Sequence, residues 1–407
     1  MSVKLTIRTI GKRVEYAIEN NIKLAQSGKM PVAYNIEGPA GAGKTSIIKQ
    51  LAGQLDMPFI RLDLSSITVD DLIGMPFKQV EICNSNTLEC VWVNEREVDH
   101  YFKQNYTPTN NSRTSYALPK WFKSVEGNSP IVLYLDDFTR APLQVIQACM
   151  SIIDEQRFNT FTLPEGSTVL LSSNPEVDDS GQFYSVTSLD GAHNTRYLTL
   201  KCKFDLDEWV EDFGEKNVDG RLINFLLANP EIVSGIKITN NNGETIKKSP
   251  IRLWTKFGDA ISNIKDFEKE ESLEMISDFG SCLPQEHIMM FTQFIANKLD
   301  KIPTPKEILE DLHAEETLYK LIFKDNKQSA NASIASILQK RMCAYALNYQ
   351  HELKPVELDK IINLIFSNSK KLFSKDLTHI AATKLVGIKG VTKNQNVMKI
   401  IAEQYKS

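Results

Sequence analysis

Residues 32–45 read VAYNIEGPAGAGKT, a run of strand character followed by a glycine-rich turn and the start of a helix. The turn fits the P-loop pattern G-x-x-x-x-G-K-[ST], in which Gly38 and Gly43 let the backbone wrap a phosphate group. The helix that begins at Lys44 directs its positive end at the same phosphates. Lys44 reaches the β and γ oxygens, and the Thr45 hydroxyl is placed to bind Mg²⁺. This stretch predicts a phosphate-binding loop made of Gly38, Pro39, Ala40, Gly41, Ala42, Gly43, Lys44 and Thr45.

A second motif, IVLYLDD at 131–137, is an apolar run that ends in two carboxylates. A continuous apolar run is typical of a strand buried on both faces of a parallel sheet. Asp136 is suited to hold Mg²⁺ through its water shell, and Asp137 to orient and deprotonate an attacking water. Two acids after a strand also occur in ordinary solvated turns. The two motifs together predict a nucleoside triphosphate and Mg²⁺ as cofactors, and they leave ATP and GTP open.

Strands and helices alternate over about 30–205, which predicts an α/β fold with a parallel sheet. The predicted strands are 32–36, 58–64, 131–135, 168–171 and 197–204, and the predicted helices between them include 44–55 and 143–156. Within the irregular stretch 65–130, we expect a hairpin at 79–93 and a polar, mobile loop at 103–117.

After residue 205 the strand signals nearly vanish and helical periodicity takes over. We therefore expect three parts. They are an α/β core at 1–205 with an insertion at about 75–120, a helical segment at 206–300, and an all-helical C-terminal domain at 301–407.

Composition excludes several classes of protein. Hydrophobic residues make up 42% and charged residues 24% of the 407 residues, which argues against a disordered or collagen-like chain. No apolar run approaches the roughly 20 residues that cross a bilayer, so no membrane association is expected. The six cysteines lack C-x-x-C spacing and predict reduced thiols and a cytoplasmic protein, although Cys83 and Cys90 could face each other in the hairpin.

Charge is unevenly distributed along the chain. Residues 301–407 hold 17 Lys and Arg against 11 Asp and Glu, a charge of +6, whereas 1–300 hold 30 against 40, a charge of −10. Eight of those lysines lie between Lys370 and Lys406. They form either a solvated helical face or a nucleic-acid contact, and few aromatic residues accompany them.

Three segments around the two motifs resemble those of MoxR-like AAA+ ATPases, including the dynein-related branch common in bacteria and phages. DDFTRA at 136–141 resembles their D-E-x-N-R-A Walker B segment, and TVDDLIG at 68–74 resembles their D-L-I-G segment. SSNP at 172–175 resembles sensor 1, which implies that Asn174 helps position water near the γ-phosphate; the same residues would also suit a plain turn.

Two arginines extend the resemblance. Arg196, in LDGAHNTRY at 189–197, resembles the arginine finger, and Arg252, in SPIRLW at 249–254, resembles the sensor 2 arginine with one extra residue before it. Alternatively, Arg196 forms a surface salt bridge at a strand entry, and Arg252 simply lies at a helix start.

The resemblance implies an ATPase that assembles into a ring, expected to be a hexamer, because an arginine finger acts on the nucleotide of a neighbouring subunit. It implies a helical lid at 206–300 that rotates against the core as ATP is used. The hairpin 79–93 resembles insertions that face the ring pore and grip a client, although it could equally be a structural sheet edge. MoxR-like ATPases often work with a von Willebrand A-domain protein, which makes such a protein a candidate partner.

The sequence departs from the family at two core positions, where Asp137 replaces Glu and Thr139 replaces Asn. Asp is one methylene shorter than Glu, and a displacement of about 1 Å can lower a rate by on the order of 100-fold. Three functions therefore remain open: a remodelling ATPase acting on a protein, a nucleic-acid motor or loader, and a nucleotide-gated scaffold with weak hydrolysis.

Overall fold

The structure is a computed structural model of the chain. It describes residues 4–123, 129–158, 161–177, 183–187, 189, 191–233, 248–323, 331–367, 370–389 and 391–404. The chain divides into two compact units, Met1–Lys203 and Phe204–Ser407.

The first unit contains both strands and helices. Its strands are β1 (Leu5–Thr6), β2 (Ala33–Glu37), β3 (Phe59–Asp63), β4 (Pro76–Asn84), β5 (Cys90–Asn94), β6 (Tyr106–Tyr116), β7 (Val132–Asp136), β8 (Arg157–Phe158), β9 (Phe161–Thr162), β10 (Thr168–Ser173) and β11 (Tyr197–Lys203). Its helices are α1 (Ile7–Gln26), α2 (Lys44–Gln54), α3 (Val69–Ile73), α4 (Val98–Phe102), α5 (Lys120–Lys123), α6 (Leu143–Glu155) and α7 (Gly191–Asn194).

Six strands form a parallel sheet in the order β1-β11-β2-β10-β7-β3. The predicted α/β fold with a parallel sheet is thereby confirmed. Strands β10 and β7 are buried along their whole length, as the apolar runs predicted. Because β2, β10, β7 and β3 are neighbours and parallel, the residues that follow their carboxyl ends meet at one edge of the sheet.

Helices cover both faces of this sheet. Along α1, Ile10, Val14 and Ile18 recur at four-residue spacing and pack with Ile48 of α2 against one face. Helix α6 packs on the opposite face. Burying one such isoleucine side chain stabilises the folded state by about 1.5–3 kcal/mol. The packing of Ile48 therefore holds helix α2 against the sheet and fixes the position of its N-terminus.

Strands β4, β5 and β6 form a separate three-stranded antiparallel sheet, here called the insertion sheet. The hairpin predicted at 79–93 is present as β4 and β5. The mobile loop predicted at 103–117 is wrong, because these polar residues form β6 and pair with β4. Cross-strand contacts explain the error: Glu81 accepts hydrogen bonds from Thr109 Oγ1 at 2.9 Å and Asn111 Nδ2 at 2.7 Å.

The cysteines of the hairpin also depart from expectation. Cys83 and Cys90 were expected as reduced thiols, but they are directly opposed in the β4–β5 register, with Cα atoms 4.0 Å apart, and form a disulfide. The hairpin register produces the pairing, since it places the two residues on either side of a short turn. Cys149, Cys202, Cys282 and Cys343 are free.

The second unit is helical throughout its described residues. Its helices are α8 (Leu206–Trp209), a π-helical turn (Val210–Gly214), α9 (Glu215–Asn217), α10 (Gly220–Ala228), α11 (Ile251–Ile261), α12 (Glu270–Phe279), α13 (Gln285–Ala296), α14 (Pro305–Glu310), α15 (Ala314–Ile322), α16 (Ala332–Asn348), α17 (Pro355–Phe366), α18 (Lys375–Leu385) and α19 (Gln395–Gln404). One hydrophobic cluster runs from Leu206 to Val397. The division expected near residue 300 stays a prediction. Within the described ranges, no helix is long and apolar enough to cross a membrane.

Candidate nucleotide-binding site

The phosphate loop, residues 38–45, joins the end of β2 to the start of α2. Gly38 is required by close packing, because a Cβ at this position would lie 2.0 Å from the Cys202 Sγ of the neighbouring strand. Gly43 has a φ of +95°, a left-handed conformation that favours glycine, and helix α2 begins at the next residue. All eight predicted loop residues therefore lie where a strand turns into a helix N-terminus, which is the arrangement that binds phosphates.

The side chain of Lys44 is buried inside this loop. Its Nζ donates to the Gly38 carbonyl at 2.7 Å, to the Pro39 carbonyl at 3.1 Å and to Asn174 Oδ1 at 3.1 Å. These neutral acceptors hold the ammonium at the mouth of the loop. A phosphate oxygen is a stronger, charge-assisted acceptor for the same ammonium.

Asp136 lies at the end of β7, and its two oxygens have different partners. Oδ1 accepts from Ser172 Oγ and, at 3.1 Å, from the Asp137 backbone N–H. Oδ2 accepts from Thr45 Oγ1 at 3.2 Å and from Arg61 Nε at 2.8 Å. The hydroxyl and carboxylate predicted to bind Mg²⁺ thus converge on one point.

Tyr134 forms the floor beneath this pair. Its hydroxyl lies 3.5 Å from Thr45 Oγ1, and it is on the same strand face as Asp136, two residues earlier. Burial and then the charge of Asp136 raise the pKa of Tyr134, so the phenol stays neutral beside the carboxylate.

Asp137 has a different environment from Asp136. Its backbone is left-handed, with a φ of 52°, a conformation that Asp and Asn adopt more readily than other non-glycine residues. Its side chain is 36% exposed, and one oxygen lies 3.8 Å from an Arg140 terminal nitrogen. A shorter acid at this position therefore suits the turn, while its carboxylate remains open to water.

Asn174 follows β10 and is buried, with its amide oxygen on Lys44. Its backbone N–H donates to Thr139 Oγ1 at 3.3 Å, and Thr187 donates its N–H to the Thr139 carbonyl at 2.7 Å. Thr139, the residue that departs from the family pattern, therefore ties the loop after β7 to the loop after β10.

The two arginines lie elsewhere. Arg196 is exposed, and its Nε is 3.5 Å from Asp154 Oδ2, so the surface salt bridge that the sequence left open is present. Arg252 is exposed in the first turn of α11, in the second unit. Their predicted roles as finger and sensor 2 stay predictions.

Several residues of the site escaped the sequence analysis. Arg61 and Ser172 contact Asp136, and the Tyr184 hydroxyl accepts a 3.3 Å hydrogen bond from the backbone N–H of Ala40. Arg61 carried a usable signal, since it is a basic residue between two apolar residues in the strand FIRLD. Within the described residues, no group of three or more His, Cys, Asp or Glu side chains could hold a metal ion.

Residues 35–143 match the family described as ATPase family associated with various cellular activities (AAA). The matched segment contains the phosphate loop together with Asp136 and Asp137. The chain therefore carries an AAA ATPase domain on a P-loop α/β fold, and it is an enzyme that hydrolyses ATP.

No curated protein matches the chain. Among solved structures, it is similar to the Thermotoga maritima RuvB Holliday junction branch migration motor, with 12% identity, 79% of this chain and 76% of that chain covered, and a TM-score of 0.32. A point mutant of the T. maritima RuvB protein gives 12% identity, 92% and 95% coverage, and a TM-score of 0.32. Similarity at this level carries no argument about function.

Proposed function

We propose that this protein is a MoxR-like AAA+ ATPase that hydrolyses Mg²⁺-ATP within a homo-oligomeric ring, expected to be a hexamer, and remodels or assembles a protein partner. The observation that carries the catalytic part is the convergence of Lys44, Thr45 and Asp136 at one sheet edge, with Thr45 Oγ1 3.2 Å from Asp136 Oδ2. The subfamily rests on the segments at 68–74, 136–141 and 172–175.

The residues present fit a Mg²⁺ ion. Mg²⁺ takes oxygen ligands, and protein sites usually supply one or two carboxylates while substrate phosphates supply other ligands. Thr45 and Asp136 would hold it, and the bound ion would neutralise charge on the phosphates. Lys44 would bind a phosphate oxygen, Asn174 would orient water, and Asp137 would accept its proton.

A ring is supported by the exposure of Arg196. Its partner Asp154 is itself 55% exposed, so the ion pair is a weak surface contact that a neighbouring subunit's nucleotide could replace. We assign Arg196 as the finger that acts in trans and Arg252 as the sensor 2 arginine.

A protein is favoured over a nucleic acid as the partner. Among the C-terminal lysines, Lys384 is paired with Glu211 and Lys370 lies near Glu316, while Lys406 lies outside the described residues. Such pairing reduces the positive charge available for binding nucleic-acid phosphates.

The insertion sheet is the proposed client contact, and a von Willebrand A-domain protein is a candidate partner. The four free cysteines are typical of a cytoplasmic protein, whereas a disulfide such as Cys83–Cys90 is typical of an oxidising compartment, so the cytoplasmic location stays a prediction.

Nucleic-acid action is the second candidate, because residues 301–407 carry an excess charge of +6. Binding of DNA or RNA that weakens steeply with salt and stimulates ATP hydrolysis would favour it. A third possibility, a nucleotide-gated scaffold, is favoured by the short Asp137. A sharp rise in turnover on Asp137→Glu would support that reading.

The test measures mass in solution by light scattering, with and without Mg²⁺-ATP, alongside phosphate release. Wild type, Lys44→Ala and Arg196→Ala are compared with the control Arg157→Ala, which removes another exposed arginine pair, with Glu155. We expect an ATP-dependent ring whose turnover is lost in the first two variants and unchanged in the control.

Mixing the two inactive variants should restore part of the activity, because each supplies the half-site that the other lacks. A monomer whose turnover is indifferent to Arg196→Ala would overturn the ring proposal and leave an ATPase that works alone.

A further inference from the structure

The two oxygens of Asp136 are held by different kinds of partner. Oδ1 is bound by Ser172 and a backbone N–H, both neutral and both from the sheet edge itself. Oδ2 faces Thr45 and is bound by the Arg61 guanidinium, with Nε to Oδ2 at 2.8 Å. The Arg61 guanidinium therefore binds the same Asp136 oxygen that faces Thr45, the other proposed Mg²⁺ ligand.

The strand register explains why Arg61 reaches this oxygen. Arg61 pairs with Tyr134 in the β3–β7 ladder, so its side chain leaves the sheet on the same face as Tyr134 and Asp136. Helix α2 covers that face and brings Thr45 to the same place. The contact between Arg61 and Asp136 therefore follows from the pairing of β3 with β7 and from the position of α2 on that face of the sheet.

The two partners differ in their freedom to move. The Asp136 side chain is 9% exposed, whereas that of Arg61 is 51% exposed. A half-exposed guanidinium can leave a carboxylate at small cost, because water replaces the lost contact. Its planar fork also suits a phosphate, which it binds through two nitrogens.

We propose that Arg61 is a positioning residue that competes with Mg²⁺ for Asp136. Without metal it holds Asp136 Oδ2 beside Thr45, and when Mg²⁺ takes that oxygen, Arg61 transfers to a phosphate oxygen of the nucleotide. Arg61 thereby couples metal binding to nucleotide binding. This inference rests on the proposed Mg²⁺ site at Thr45 and Asp136.

Two binding measurements test it without turnover. The first is Mn²⁺ binding to the nucleotide-free protein, followed by electron paramagnetic resonance, and the second is binding of mant-ATP to protein already saturated with Mn²⁺. For Arg61→Gln we expect Mn²⁺ to bind about three- to tenfold more tightly and mant-ATP to bind the Mn²⁺-saturated protein about three- to tenfold more weakly, the scale of one charge-assisted contact.

Three variants make the result decisive. Arg61→Lys keeps the charge and should retain the wild-type Mn²⁺ affinity within about twofold, but it loses the two-nitrogen fork and should weaken mant-ATP binding by less than Arg61→Gln does. Arg157→Gln removes an exposed arginine that pairs with Glu155 and should change neither affinity. Asp136→Asn should weaken Mn²⁺ binding in both the wild-type and the Arg61→Gln background, and circular dichroism verifies folding.

The outcomes separate the two proposals. If Asp136→Asn weakens Mn²⁺ binding but Arg61→Gln leaves it unchanged or weaker, the competition is overturned and the metal site stands. If Asp136→Asn does not affect Mn²⁺ binding, the metal site itself is wrong, and the role of Arg61 falls with it.

Discussion

Two of the clusters of buried charge in the described residues differ in how completely they are enclosed. In the second unit, Arg341 and Glu215 form a bidentate pair, with Nη2–Oε1 at 2.8 Å and Nε–Oε2 at 2.9 Å. Their side chains are only 3% and 4% exposed. In the first unit, buried Asp136 is paired with Arg61, which is 51% exposed.

The remaining donors show the same contrast. Arg341 Nη1 also donates to Asn224 Oδ1 at 2.9 Å and to the Gly220 carbonyl at 3.3 Å, so the guanidinium is satisfied by fixed neighbours. Lys44 is likewise buried, but its acceptors include two loop carbonyls and an amide that a phosphate can outcompete. Enclosure is typical of a structural pair, and exchangeable partners are typical of a binding site.

The largest expected effect is a loss of protein stability when the enclosed Arg341–Glu215 pair is broken. Arg341→Ala should lower the free energy of unfolding by about 3–5 kcal/mol, because it leaves the Glu215 carboxylate buried without its partner. Urea unfolding measures this. The control Lys340→Ala removes the neighbouring, more exposed pair with Asp207 and should cost about 1 kcal/mol or less. Equal losses for the two variants would contradict the distinction between enclosed and open clusters.

The next effect is on turnover, in the open cluster. Lys44→Ala should lower the rate of phosphate release by about 10²–10³-fold, because it removes a preorganised cation from the transferring phosphate. The free energy of unfolding should fall by only about 1–2 kcal/mol. The exposed Lys49→Ala on the same helix serves as control and should leave turnover unchanged. A loss of stability as large as that of Arg341→Ala would mean that Lys44 is mainly structural.

A smaller effect concerns the packing behind the phosphate loop. Gly38→Ala should destabilise the protein by about 1–3 kcal/mol, since its Cβ would lie 2.0 Å from Cys202 Sγ. Adding Cys202→Ala should recover part of the loss, but not all of it, because the Cys202 carbonyl is also 3.0 Å away.

Gly53→Ala is the matched control, because a Cβ there meets no atom within 4 Å and alanine favours the helix by about 1 kcal/mol. Thermal unfolding of the three variants checks the series. Full tolerance of Gly38→Ala would refute the close approach of the two strands.

The smallest effect is at the apex of the loop. Tyr184→Phe removes the hydroxyl that accepts from Ala40 N–H and should free that donor for phosphate, tightening mant-ATP binding by about two- to threefold. Tyr16→Phe, at an exposed tyrosine of α1, is the control. Weaker binding in Tyr184→Phe would instead indicate that the hydroxyl helps to hold the nucleotide.

Local signals predicted much of the first unit. Five strands of the parallel sheet lie within a residue or two of their predicted positions: β2, β3, β7, β10 and β11. They could be predicted because apolar runs and a glycine-rich turn are signals contained in a short stretch of sequence. The sequence also predicted that the phosphate loop follows β2 and that Asp136 ends β7, because both belong to contiguous motifs, while their roles stay predictions.

The sequence-based predictions were wrong where a residue's pairing partner is far away in the sequence or where the paired residues are exposed to solvent. Polarity at 103–117 predicted a loop, but β6 is stabilised by hydrogen bonds to β4 and by contacts such as Thr109 to Glu81. The Cys83–Cys90 pairing depends on the hairpin register, which composition does not reveal.

The sequence by itself determined that this chain has a P-loop, a parallel α/β core and a helical second half, because each follows from local periodicity or a contiguous motif. Only the tertiary structure decided which side chains meet. The order β2-β10-β7-β3 brings Lys44 to Asn174, and Asp136 to Ser172 and Arg61. These residues are far apart in sequence, and strand order, which no local pattern encodes, sets their distances.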